Sequence, residues 1–235
     1  MVIIVDAMGG DNAPDEIVKG CIEAVLEKKD FEIILLGDEK KIKEIINEND
    51  YSGNRLHIVH TSEQISNDDM PTKAIKNKKD SSMVTGLNML KEGKGEVFIS
   101  AGNTGALMTG ALLIVGRIKG IDRPALAPLI PTKKGAAMII DAGLNTVCKP
   151  INYQQFAIIG SIYMKEMYNI NNPSVGLINV GIEETKGNEI IKQAHTLISS
   201  SNINFVGNIE GRCITEGKVD VVVCDGFVGN VLLKF

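Results

Sequence analysis

Four segments rich in glycine and asparagine hold most of the side chains that could do chemistry. The first is Asp6-Ala7-Met8-Gly9-Gly10-Asp11-Asn12-Ala13-Pro14, which follows an apolar run at Val2–Val5. Asp11 or Asn12 can cap a helix there, Pro14 suits its first turn, and Asp15 and Glu16 favour the positive end of its dipole. A capped turn explains Asn12 and Pro14 but leaves Asp6 and the pair Gly9-Gly10 unexplained. Paired glycines let backbone amides come close to an anion. The second segment is Ser100-Ala101-Gly102-Asn103-Thr104-Gly105-Ala106. A helix N-terminus built from small residues can hold a phosphate without a lysine. A tight turn with close helix–sheet packing needs the same residues, and the motif alone leaves both readings open.

The third segment, Asn179-Val180-Gly181-Ile182-Glu183-Glu184-Thr185-Lys186-Gly187, brings one lysine to the entrance of a helix. A solvated surface group is the plain reading of Lys186. Beside amide-rich loops, a lysine can also neutralise a phosphate or a developing oxyanion. The fourth is Asp225-Gly226-Phe227-Val228-Gly229-Asn230. Asn230 can donate to the same oxygen as Lys186. Asp225 can orient a lysine or, more commonly for an Asp in a turn, accept a backbone hydrogen bond.

Other chemistries find little support. His57 and His60 stand three apart on a predicted strand and face opposite sides, so they cannot share a metal. His195 lies mid-helix without a partner in reach by sequence. No H-E-x-x-H, G-x-S-x-G, G-x-G-x-x-G or G-x-x-x-x-G-K-[ST] is present, which removes the usual basis for zincin, hydrolase, dinucleotide or P-loop chemistry. Cys21, Cys148, Cys213 and Cys224 are widely spaced and form no C-x-x-C pair. They read as core thiols of a reducing, cytosolic compartment. The inventory suits anion binding and direct transfer through an addition intermediate, with no metal and no cofactor.

These loops need a scaffold, and the apolar pattern supplies one. Short buried runs at Val2–Val5, Phe31–Leu36, Leu56–Thr61, Val97–Ser100, Ser174–Val180, Ile203–Val206 and Val219–Cys224 alternate with helical stripes. One stripe carries Ile17, Val18, Cys21, Ile22, Val25 and Leu26; others cover Thr104–Ile118 and Glu189–Ser200. Such alternation implies crossover connections and a mainly parallel sheet. The pattern breaks once: Ala125–Pro131 and Ala136–Asp141 flank Thr132-Lys133-Lys134-Gly135, which predicts an antiparallel hairpin. The expected fold is three-layer α/β/α with a mainly parallel sheet plus that hairpin, over residues 1–235 as a single domain. With 235 residues, 44% of them hydrophobic, and a net charge of −4, the chain has enough material for a core and lacks the basic footprint of a nucleic-acid binder. No apolar run is long enough to span a bilayer.

The motifs together resemble the bacterial PlsX-type phosphate acyltransferases. The likeness is carried by the four segments above and by Ile121-Asp-Arg-Pro-Ala125, Gln155-Phe-Ala157 and Phe205-Val-Gly-Asn-Ile-Glu-Gly-Arg212. It covers nearly the whole chain in order. The resemblance implies transfer of a fatty acyl group from acyl-[acyl-carrier-protein] to inorganic phosphate, giving acyl phosphate for phospholipid synthesis. It also implies a homodimer, a fold similar to isocitrate and isopropylmalate dehydrogenases without their nicotinamide cofactor, and peripheral membrane association beside a downstream membrane acyltransferase. The family's essential lysine falls on Lys186 and its motif asparagine on Asn230. Substrate or phosphate contacts fall on Asp6, Gly9, Gly10, Asp11, Ser100, Gly102, Asn103, Thr104, Gly105, Arg123, Asn179, Glu183, Asn208 and Asp225.

Departures are few. Leu144 stands where the family usually has Ala, and Cys213 where Asp is usual. Family members continue beyond the position of Phe235, so the C-terminal part of the family domain, with a helical hairpin implicated in membrane contact and dimer completion, is expected to be missing. A coenzyme A thioester as donor is the nearest rival reading. A non-catalytic scaffold for carrier protein and membrane is another, with Lys73, Lys76, Lys78 and Lys79 as an attracting face, though such runs are usually solvated.

Overall fold

The computed structural model describes residues 1–235. The chain, taken above as one domain, divides into two compact units, Met1–Gly116 and Arg117–Phe235, each with its own sheet.

The first unit contains strands β1 (Val2–Asp6), β2 (Glu32–Gly37), β3 (Leu56–His60) and β4 (Val97–Ile99), all parallel in the order β3-β2-β1-β4. Its helices are α1 (Asp15–Glu27), α2 (Glu39–Glu48), α3 (Pro71–Asn77), α4 (Ser82–Lys91) and α5 (Thr104–Gly110), the last continued by a π-helical turn at Ala111–Val115. Alternate strand residues face opposite sides. Val5, Ile33 and Leu35 therefore pack under Val18, Cys21 and Ile22 of α1 and Ile42 and Ile45 of α2. On the other face, Met83, Val84 and Leu87 of α4 join Ile75, Ala106 and Phe98. Helices thus cover both faces of a parallel sheet. The helix predicted over Thr104–Ile118 stops at Val115, because Gly116 turns the chain with φ +95°.

The second unit contains β5 (Leu129–Thr132), β6 (Gly135–Ile140), β7 (Ser174–Ile178), β8 (Asn204–Ile209) and β9 (Val221–Val223), in the order β5-β6-β9-β7-β8. β5 and β6 form the predicted antiparallel hairpin, and the other pairings are parallel. Met138, Ile140, Val175, Leu177, Val221 and Val223 face α6 (Pro150–Tyr168) and α7 (Glu189–Ser199). Ile139, Val222 and Cys224 face the opposite side, toward α8 (Arg212–Thr215) and α9 (Gly226–Lys234). Both units are therefore three-layered, and the mainly parallel sheet of the sequence reading is realised as two sheets. His195 has a partner that its sequence position did not reveal: it is buried on α7, with its ring edge-on to Phe205 at 5.1 Å between centroids.

Two helical glycines separate local preference from packing. Gly20 on α1 is exposed, and a Cβ there meets nothing within 4 Å. Gly86 on α4 is buried; a Cβ there runs into the Phe98 ring and lies 2.8 Å from Leu36 Cδ1. Gly20→Ala is expected to raise stability by about 1 kcal/mol through helix propensity. Gly86→Ala is expected to lower it by roughly 1–3 kcal/mol, because overpacking outweighs the same propensity gain. Urea denaturation of the two variants should give shifts of opposite sign.

Candidate functional site

In open parallel sheets, ligands bind beyond the carboxyl ends of strands where neighbouring strands send their chains to opposite faces. Each unit has more than one such point, and in each unit one of them gathers the polar loops. In the first it lies between β1, which leads to α1, and β4, which leads to α5. Asp6 ends β1 and is 2% exposed. Its Oδ2 accepts from Ser100 Oγ at 2.7 Å and its Oδ1 from the Met8 N–H at 3.2 Å. Ser100 Oγ in turn accepts from the Gly102 N–H at 3.1 Å. A Cβ at Gly9 would lie 2.5 Å from Asp6 Oδ2 and 2.9 Å from Ser100 Oγ, and one at Gly102 would lie 3.2 Å from Gly9 Cα. The glycines are thus required by the contact of two loops around a buried carboxylate. Gly10, at φ +116°, carries the first loop over Ala101.

The remaining residues of this region have defined places. The exposed Asp11 does not cap α1, as the sequence suggested, and neither does Asn12: Pro14 occupies the cap position without a side-chain bond, and Asp11 Oδ1 accepts from Asn67 Nδ2 at 3.0 Å. The chain reaches α1 through backbone turns, so a side-chain cap is not needed. Asn103 caps α5 through Oδ1 and the Ala106 N–H at 2.9 Å. Its Nδ2 donates to the carbonyls of Ser66, Asn67 and Asp69. The N–H groups of Thr104 and Gly105, the first in α5, have no protein acceptor.

In the second unit the corresponding point lies between β7, which leads to α7, and β9, which leads to α9 on the opposite face. A cleft of about 330 Å³ opens there, with Tyr153, Asn179, Asn188, Ile191, Asp225 and Val228 in its walls. Asp225 Oδ1 caps α9 by accepting from the Val228 N–H at 2.9 Å, and Oδ2 accepts from the Tyr153 hydroxyl at 3.3 Å. Burial, reinforced by the Asp225 charge, pushes the Tyr153 phenol up from its ordinary value and keeps it a donor.

The segment ending at Lys186 is held by its backbone. Asn179 accepts from the Val180 N–H at 2.8 Å and donates to the Lys186 carbonyl at 3.1 Å. Asn208, 5% exposed, donates to the Glu183 carbonyl at 2.9 Å, which also accepts from the Lys186 N–H at 3.1 Å. The Glu183 and Lys186 side chains are exposed, and Lys186 makes no ion pair. Asn230, one turn into α9, lies against Gly143, whose added Cβ would be 3.7 Å from Asn230 Oδ1. Arg123 donates to the Val147 carbonyl at 3.0 Å and so braces the same loop. Lys186 and Asn230 share no hydrogen bond, and neither lines the cleft.

Two residues of this region were missed. Asp141 is fully buried and accepts from the N–H groups of Leu126, Leu144 and Asn145 and from Asn145 Nδ2, at 2.6–3.1 Å. Its place directly after a strand, like that of Asp6, was an available signal. Tyr153 carried none, being one of four aromatics on α6. No group of three His, Cys, Asp or Glu side chains is gathered for a metal ion, and no helix is long and apolar enough to cross a membrane.

Fold and site together describe a three-layer α/β protein with polar loops gathered at its switch points. The family described as Fatty acid synthesis protein matches residues 1–235, and the chain belongs to it. A phosphate acyltransferase of Acetivibrio thermocellus is 66% identical over 235 residues, which are all of this chain and 69% of the relative. Among solved structures, a phosphotransacetylase from Streptococcus pyogenes superposes with a TM-score of 0.74 at 14% identity, covering 100% of this chain and 80% of the other. A 4-hydroxythreonine-4-phosphate dehydrogenase from Burkholderia phymatum gives 0.59 at 14% identity, covering 99% and 82%. These two likenesses show the fold alone.

Ser100→Ala removes a donor from a buried carboxylate and is expected to lower stability by about 1–3 kcal/mol, measured by chemical denaturation. The thiols give a pH test. Burial pushes Cys21 and Cys148 from 9.0 up to about 11. The folded protein keeps these protons where the unfolded chain releases them, so their contribution is complete below pH 9.0 and lost as pH rises toward 11. The denaturation midpoint should fall across that window, and less steeply in a Cys21→Ala, Cys148→Ala double variant.

Proposed function

We propose that the chain transfers a fatty acyl group from acyl-[acyl-carrier-protein] to inorganic phosphate, and that the acyl phosphate feeds phospholipid synthesis. The chain is an acyltransferase by its family and its named relatives. The observation that carries the mechanism is Lys186: a cation without a counter-ion, on a segment whose backbone is fixed by Asn179 and Asn208. A phosphate oxygen attacks the thioester carbonyl, a tetrahedral oxyanion forms, and the C–S bond breaks to release the carrier thiol once protonated. Lys186 and Asn230 stabilise that oxyanion or hold the phosphate. The first unit, taken by itself, offers an anion the unpaired N–H groups of Thr104 and Gly105 beside the loop at Gly9 and Gly10. A thioester is already activated, so the reading uses no metal and no cofactor. Homodimer formation and peripheral attachment to the membrane from the cytoplasm belong to the same proposal.

The structure favours catalysis over the scaffold reading in one respect. Lys78 turns from the basic face to pair with Asp69 at 2.5 Å and to donate to the Gln64 carbonyl at 2.8 Å. That pairing holds Asp69 below the usual carboxylate range and takes one of four lysines away from a docking face.

Trapping acyl phosphate with hydroxylamine tests the assignment. Lys186→Ala and Asn230→Ala should each reduce formation by roughly a hundredfold or more, the usual effect of removing an oxyanion donor. Wild-type turnover in Lys186→Ala removes that residue from the mechanism. Carrier-protein and coenzyme A thioesters of the same acyl group, supplied at equal concentration, identify the donor.

A further inference from the structure

We propose that the cleft between the ends of β7 and β9 receives the hydrocarbon chain of the acyl donor. This deepens the function proposed above and rests on it. The polar side chains in the cleft walls are already engaged within the protein. Both Asp225 oxygens are occupied, by the Val228 N–H and the Tyr153 hydroxyl. The Asn179 amide is used at both ends, and Asn188 Oδ1 accepts from the Ile191 N–H at 3.0 Å. The Cys224 thiol donates to the Asp141 carbonyl at 3.3 Å. The side-chain surface offered to a ligand is then chiefly the hydrocarbon of Ile178, Val180, Ile191, Val228 and the Tyr153 ring, with the amide nitrogen of the exposed Asn188 and the backbone N–H groups of Gly187 and Asn188 as donors on the side next to Lys186.

Such walls suit a chain that asks for no hydrogen bonds. The amides of a pantetheine arm would lose water partners against the apolar walls, at a penalty for each group left unpaired. The volume, about 330 Å³, equals that of about eleven water-sized groups at ~30 Å³ each, which is room for much of a fatty chain but far more than an acetyl group needs. Location agrees as well. Gly187 and Asn188 form part of the wall and directly follow Lys186, so a thioester carbonyl at Lys186 has this cleft beside it.

The chain contains no tryptophan, and Val180 is 81% exposed at the cleft wall, so Val180→Trp places a single reporter there without disturbing a core. Titration with palmitoyl-coenzyme A should give a saturable blue shift of its emission, and acetyl-coenzyme A none at equal concentration. Ile191→Phe in the reporter background narrows the cleft. It should weaken palmitoyl-coenzyme A binding by about tenfold or more and lower the ratio of long-chain to short-chain kcat/KM. Equal responses to the two thioesters, or an unchanged palmitoyl titration and an unchanged ratio in Ile191→Phe, would overturn the proposal. Lys186→Ala in the reporter background keeps the two readings apart. The titration there reports the cleft alone, while acyl phosphate formation reports the role of Lys186.

Discussion

A carboxylate removed from water must be met by donors, and this requirement organises the second unit. Asp141 is fully buried, and four N–H groups converge on its two oxygens. A buried carboxylate left without donors would destabilise the fold by several kcal/mol. Gathering those donors folds residues 141–145 back on themselves, and the folded loop becomes the surface on which α9 starts. The Gly226 N–H donates to the Asn145 carbonyl at 2.8 Å, and Gly229 packs directly on the Asp141 backbone. Asn230 follows in the sequence, so its position against Gly143 is inherited from Asp141. Cys148, donating to the Asn145 carbonyl, and Arg123, donating to that of Val147, extend the same loop.

The first unit uses the device on a smaller scale. Asp6 ends its strand, is buried, and is met by one hydroxyl and one N–H. Fewer donors are available there, so glycines supply close approach instead: any side chain at Gly9 would displace Ser100 from the carboxylate. In both units the buried acid lies at the C-terminal end of a strand beside the switch point. It fixes loop shape and leaves charged chemistry to residues further out.

Much of this was legible in the sequence because parallel strands write themselves as short apolar runs, and a hairpin as two such runs joined tightly. Val219–Cys224 and Ala136–Asp141 are of this kind. The division into two sheets was not legible, since both halves repeat one local pattern and only long-range pairing separates them. The loop motifs were found, but their glycine and asparagine content is equally suited to binding a ligand and to bonding the chain's own backbone. Asn103 shows the difficulty: one amide caps α5 and binds three carbonyls some 34–37 residues earlier in the chain, contacts that no local spacing encodes. Tyr153 was missed for the same reason, because its partner is Asp225, 72 residues away.

Under the proposed function, the asparagines act through what they immobilise. Asn179 and Asn208 bind carbonyls of the segment that carries Lys186, and Asn103 binds those of residues 66–69. An amide that fixes a neighbouring loop gives no direct attraction to a substrate, yet it removes freedom that the loop would otherwise lose on binding. A donor held in place before charge develops stabilises an oxyanion without reorganising at the moment of reaction. A flexible lysine gains most from such fixing, because its compact charge can be directed only by the backbone that bears it. On this view the many asparagines of the motifs and the few free donors are complementary. The former set positions, and the exposed Lys186 is left without an ion pair, its hydrogen-bonding capacity unspent within the protein.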